Sequence, residues 1–233
     1  MSTLLLRLAG PMQSWGVGSK FEIRRTEVAP SKSAVLGLLA SALGRKRGDA
    51  LDDLNTLKFG TRIDLPGEIQ YDYQTVKTGK TSYISKRYYI SDAIFLVGLE
   101  TDEYRFLEEI EAALKKPVFH LFLGRKSYLP TQPFVLGIRP LPLEAALRLE
   151  PWLVPEWRYK EVSSVVRILI DSSPYDKVAA IQKDVPISFR SERREYKNRG
   201  VMQFYVKMHN EKDDEHDPMA ELEEEYVSDE SFT

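Results

Sequence analysis

Two hydrophobic periodicities take turns along this chain, and their order predicts an α+β fold. Strand-like runs fall at 4–8, 57–63, 69–76, 90–99 and 134–138, and helical spacing falls at 34–43 and 103–116. Read as strand, helix, strand, strand, helix, strand, residues 1–140 take the ferredoxin-like (RRM-like) βαββαβ arrangement, with a hairpin protruding at about 76–90. Prolines at 142, 151 and 155 mark a seam over 141–160, and strands expected at 162–171 and 201–208 make 161–210 a small, mainly β second unit. With 233 residues and 42% hydrophobic content, the chain has enough apolar material for a real core.

The opening run Leu4 to Leu8 is apolar on both faces, so it belongs inside a sheet covered on two sides. Arg7 must then reach the end of the sheet or an anionic partner. Gly10-Pro11 stops the strand, and Gln13-Ser14-Trp15 follows, hydrogen-bonding groups beside a flat ring, flanked by Gly10, Gly16 and Gly18. Trp15 reads either as a core anchor or, with Gln13, as part of a ligand groove that the glycines allow to come close. Lys20, Arg24 and Arg25 alternate with Phe21 and Ile23 in a segment with little apolar cover. Ser31-Lys32-Ser33 leads into the helix. Ser33 is its expected N-cap, and Lys32 beside a helix N-terminus suits a phosphate, although capping alone explains the serine. Gly44 suits the C-cap, and Arg45-Lys46-Arg47 suits the negative end of the helix dipole.

The strand over 69–76 puts Tyr71, Tyr73 and Thr75 on one face. The hairpin that follows carries Lys77, Lys80, Lys86 and Arg87 interleaved with Tyr83, Tyr88 and Tyr89. Cations for a backbone and rings for splayed bases are what single-stranded RNA asks for, and a plain solvated hairpin is the other reading. After the amphipathic helix, with Phe106, Ile110 and Leu114 inward, Gly124-Arg125-Lys126-Ser127 lets exposed amides and positive side chains converge on phosphate oxygens, unless it is an ordinary polar turn. Further along, Arg190, Arg193, Arg194, Lys197 and Arg199 outnumber their acids, with RNA and a neighbouring protein both open as partners.

Net charge is −2, but residues 211–233 hold eleven acids against the single Lys212, leaving 32 Lys and Arg against 24 acids before them. A basic body of about +8 favours a polyanionic partner, and the tail is expected to be a solvated, disordered extension or a screen over the basic groove. The absence of cysteine excludes disulfides and thiolate metal sites, and no acidic or histidine cluster outside the tail has ligand spacing. Gly79-Lys80-Thr81 lacks the upstream glycine of a phosphate-binding loop of the Walker type. No apolar run reaches the length of a membrane span and no charged signal region opens the chain, so a cytoplasmic protein is expected. His120, in the apolar run 117–122, reads as a buried or sheet-edge histidine more readily than as a catalyst, and a grouping with Lys116 and Tyr128 matches no known motif.

Four blocks in order, Leu4 to Gly16, Pro30 to Leu39, Leu123 to Ser127 and Pro133 to Gly137, resemble the CasD-type subunits of type I-E Cascade complexes, members of the RAMP superfamily of CRISPR-associated proteins. The resemblance implies the same ferredoxin-like fold and makes the hairpin the thumb that crosses the CRISPR RNA between its 5′ handle and spacer. It implies a non-catalytic subunit without cofactor or metal, bound to the crRNA 5′ handle, a backbone subunit and the large subunit. Target DNA would be contacted only indirectly, with no membrane and no homo-oligomer. The implied groove residues are Arg7, Gln13, Trp15, Arg24, Lys32 and Ser33, beside the hairpin cations and the loop 124–127. Some type I-C relatives cut repeat RNA on this scaffold, so a metal-independent endoribonuclease stays as the alternative.

Overall fold

The computed structural model describes residues 1–16, 23–78, 81–172, 180–190 and 194–208. The expected acidic tail, Lys20, Arg193 and the hairpin-tip Lys80 lie outside the described residues. The first half runs β1 (Ser2–Ala9), β2 (Met12–Gln13), β3 (Ile23–Arg24), α1 (Lys32–Ala42), α2 (Asp52–Asn55), β4 (Lys58–Leu65), β5 (Glu68–Thr78) and β6 (Thr81–Ser91). The second half runs β7 (Ile94–Thr101), α3 (Tyr104–Lys115), β8 (Val135–Arg139), α4 (Leu143–Leu149), β9 (Val165–Ser172), β10 (Ala180–Ser188) and β11 (Glu195–Lys207).

The expected βαββαβ core is β1-α1-β4-β7-α3-β8, with the hairpin β5–β6 inserted between its second and third strands. Pairing is antiparallel throughout a seven-stranded sheet of order β10-β11-β9-β4-β7-β1-β8. The central strand has both faces covered, as its composition demanded. Leu4, Leu6 and Leu8 pack beneath α1 and α3 with Leu39 and Ile110, whereas Leu5 turns the other way onto Leu143 and Leu147 of α4. Each such leucine contributes about 1.5–3 kcal/mol by leaving water.

Four local features differ from the sequence-based expectation. The run 90–99 is two strands, because the chain turns at Asp92 (φ 55°), one of the few residue types that tolerate a left-handed backbone. Ser31, not Ser33, caps α1, its hydroxyl accepting from the Ala34 amide at 3.3 Å. The other end of α1 stops at Gly44 as expected (φ 76°), the Arg45 amide returning to Ala40 O at 2.8 Å, but its remaining carbonyls are met by chain rather than by charge: the amides of Val118 and Phe119 donate to those of Ala42 and Ser41 at 3.0 and 3.2 Å. Arg45 instead pairs with Asp53. Finally, the proline seam contains α4, whose terminal carbonyls accept from Arg62 (Leu147 O 2.7 Å, Glu150 O 2.6 Å) while Asp64 holds that guanidinium at 2.6 Å.

The described residues between 161 and 208 are mainly β, and their strands continue the first sheet. β9 pairs with β4 through Gly60↔Ile170 to Ile63↔Arg167, and β11 and β10 extend it. Among the described residues no helix is long and apolar enough to cross a membrane.

Candidate nucleic-acid interface

β5 and β6 pair without a bulge from Glu68↔Ser91 to Thr78↔Thr81, and the free edge of β6 takes β2 and, in parallel, β3. Alternation along a strand then sorts the side chains. Tyr71, Tyr73, Lys77, Lys86 and Tyr88 share one face; Asp72, Arg87, Tyr89 and Arg24 share the other. On the first face the Lys86 ammonium lies 3.7 Å from the Tyr71 ring centre and 5.1 Å from that of Tyr88, and Tyr73 meets Tyr71 edge-on at 5.5 Å. A hydrogen bond to Tyr88 is the chief reason the Lys86 pKa sits above the ordinary lysine value. The result is an aromatic platform with a fixed positive charge, and Tyr73 is 63% exposed on it.

The second face rests on the glycine-basic loop. Arg125 donates to the Tyr128 hydroxyl at 2.6 Å and to the Tyr88 carbonyl at 2.7 Å, with Asp72 at 3.7 Å. Burial pushes the Tyr128 phenol above its ordinary pKa. The loop in turn docks on the Gln13-Ser14-Trp15 segment: the Ser14 amide donates to Leu123 O at 3.0 Å and its hydroxyl to Tyr88 O at 3.3 Å. Gly124, at φ 90°, lies so close to this segment that a Cβ there would stand 1.8 Å from the Ser14 carbonyl oxygen. Blocks separated by a hundred residues in sequence therefore meet at the hairpin base.

The structure separates the residues singled out from sequence into two groups. Arg24, Lys77 and Lys126 with Ser127 are exposed, while Lys86 and Arg87 are half-buried, and all surround the hairpin or its supporting loop. The others are occupied. Trp15 is fully buried edge-on to Phe95 at 6.5 Å, and Gln13 is buried with its amide on the carbonyls of Ala93 (2.7 Å) and Leu8 (3.4 Å). Lys32 is 5% exposed and ion-paired to Asp171 at 2.8 Å, its charge spent inside the fold. Ser33 is buried against Ser31. Half-buried Arg7 donates to Thr131 at 3.2 Å, and desolvation lowers its pKa.

His120 is exposed beside Val118 and Phe119, not buried as its apolar neighbours suggested, because that segment's amides are used to close α1. Sequence reasoning missed Asp72, which faces Arg125 from the hairpin, and the carboxylates of Asp171 and Asp184 that claim Lys32 and its backbone amide. Among the described residues no group of His, Asp or Glu side chains is arranged to hold a metal ion.

Fold and site together define a RAMP-like α+β protein. A profile of the family described as CRISPR-associated protein (Cas_Cas5) matches residues 3–202. The chain is 34% identical over 175 residues to the CRISPR system Cascade subunit CasD of Escherichia coli (strain K12), spanning 64% of this chain and 78% of that protein. It superposes on a chain of a structure titled "CRISPR RNA-guided surveillance complex" with TM-score 0.75 and 31% identity, covering 88% of this chain and 90% of the other. A second structure, "Crystal structure of Cas protein", gives TM-score 0.72 and 38% identity over 88% and 95%. The chain belongs to the Cas5 family of CRISPR-associated proteins.

Proposed function

We propose that this protein is a non-catalytic subunit of a Cascade surveillance complex of type I-E, gripping the 5′ handle of the CRISPR RNA. The observation that carries the reading is the hairpin: Lys86 set against Tyr71 and Tyr88 on one face, Arg24 and Arg87 on the other, braced by Arg125. Such a blade offers charge to a phosphate backbone and ring faces to unstacked bases. The 34% identity to a Cascade subunit supports the choice of RNA, and the neighbours in this reading are a backbone subunit at the thumb and the large subunit outside, as the family resemblance implies. Lys32, Ser33, Gln13 and Trp15 act in this reading as the frame that orients the interface.

The test is to purify the tagged chain from cells carrying its CRISPR locus and sequence the RNA that accompanies it. Guide transcripts protected at the 5′ end are expected, with affinity falling as salt rises. Site-specific cutting of repeat RNA by the purified chain without metal would make it a processing nuclease instead, and absence of bound RNA would leave a protein-only scaffold.

A further inference from the structure

A cavity of about 230 Å³ opens between the connector 27–31 and the sheet face formed by β4, β9, β10 and β11. Its floor is a cross-strand row, Thr61↔Leu169↔Gln203, and the next row brings Arg167. Val28 supplies an apolar wall, and Lys183 and Glu27 stand at the rim.

Two features mark it as more than a surface crease. The Thr61 hydroxyl, in a residue 1% exposed, has no hydrogen-bond partner among the described residues, and a buried hydroxyl without a partner is rare in a native fold. Arg167 and Lys183 are the other: among the described residues neither side chain has an ionic partner, while Arg199, which also lines the cavity, is held by Asp184 and Asp171 at 2.6 Å each. The volume lies below the roughly 300–1,000 Å³ of pockets that take drug-sized ligands, which suits one heterocycle and its phosphate.

We propose that this cavity receives a single unstacked nucleotide. Its phosphate faces Arg167 and Lys183, the base edge meets Thr61 and Gln203, and Glu27 accepts from an exocyclic amine. The wall segment 27–31 follows two residues after β3, whose Arg24 lies beside Arg87 of the hairpin, so one short stretch of chain runs from the hairpin edge to the cavity. The inference rests on the RNA-binding reading only for the source of the nucleotide.

The experiment uses the full chain, short single-stranded RNA carrying 2-aminopurine at successive positions, and free nucleoside 5′-monophosphates. One position is expected to change fluorescence on binding. Arg167→Ala with Lys183→Ala should make the salt slope shallower by about 0.7, the value for one single-strand phosphate no longer neutralised. Thr61→Val should weaken binding about 3–10-fold at unchanged slope. Lys183→Ala alone, at an exposed site, gives part of that slope change without threatening the fold. If these variants bind RNA as the wild type does while Lys77→Ala with Lys86→Ala weakens it, the cavity proposal is overturned and the interface stands. If the wild type binds no RNA, the interface reading fails. Monophosphate binding that Thr61→Val weakens would then keep the cavity as a free-nucleotide site, and no such binding would overturn it.

Discussion

Arg125 donates to the carbonyl of Tyr88 at 2.7 Å, so the first cation of the glycine-basic loop is tied to the hairpin strand rather than free in solvent. Its neighbour Lys126 is exposed. The two residues, adjacent in sequence, therefore predict different phenotypes. Arg125→Ala should raise amide exchange across 86–90 and weaken RNA binding by loosening the blade, with little change in salt slope. Lys126→Ala should leave exchange alone and reduce the slope by about 0.7, one single-strand phosphate contact. Exchange and salt titrations on the same samples check both, and the reverse pattern would swap their roles.

Glycine substitutions in the helix block and the glycine-basic loop should have opposite signs. At Gly124 the backbone is left-handed and an added methyl would collide with the Ser14 carbonyl, so Gly124→Ala is expected to cost more than the about 1–3 kcal/mol of a strained residue. Gly37, inside α1, has only Phe189 near its missing Cβ, at 3.7 Å. Gly37→Ala should therefore gain some of the about 0.8–1 kcal/mol by which alanine exceeds glycine in a helix. Thermal melts of the two variants decide it, at roughly 2–4 °C per kcal/mol for a chain of this size. A stabilised Gly124→Ala protein would mean that the loop does not dock on Ser14.

Much of the architecture was legible because it is dictated locally. The two-sided apolar run of β1, the amphipathic face of α3 and the tyrosine alternation of β5 all report their surroundings through nearest neighbours. Lys32 was not legible, since the groups that claim it, Asp171 and Asp184, lie 139 and 152 residues further on, and a lysine before a helix looks the same with or without them. Trp15 was ambiguous for the same reason: only the distant Phe95 decides that its ring is core. The continuity of the second sheet with the first hangs on four β4–β9 pairings, which no local pattern encodes.

Acid titration should expose the Arg45–Asp53 pair behind α1. The hydrogen bond from Arg45 is the main reason that the Asp53 carboxyl sits below its ordinary pKa of 3.8. A carboxylate depressed in the folded state stabilises above its unfolded pKa, and that contribution fades as pH falls through the lower folded value. The pair is partly exposed, so Asp53→Asn should cost no more than about 0–1 kcal/mol near neutral pH. Urea melts at neutral pH and well below 3.8 should show the gap between variant and wild type closing. A gap that persists in acid would assign the effect to packing.

The buried cluster around Lys32 makes the strongest prediction because two of its cations share one carboxylate. Asp171 accepts from the Lys32 ammonium at 2.8 Å and the Phe59 amide at 3.0 Å through one oxygen and from Arg199 at 2.6 Å through the other, while Asp184 accepts from Arg199 at 2.6 Å and the Lys32 amide at 2.8 Å. This ties the start of α1 to β10, β11, β9 and β4, four strands that lie side by side from one edge of the sheet to its centre. Lys32→Met removes one of the two cations and leaves the carboxylates of Asp171 and Asp184 to share Arg199, a net negative charge in a largely buried cluster, which costs up to the about 3–5 kcal/mol of a broken buried pair. A fall in melting temperature of roughly 6–20 °C follows. Because Lys32 acts inside the fold, the salt slope for RNA should stay at the wild-type value at temperatures where the variant remains folded. A shallower slope at unchanged melting temperature would put Lys32 on a phosphate, as its place in the sequence first suggested.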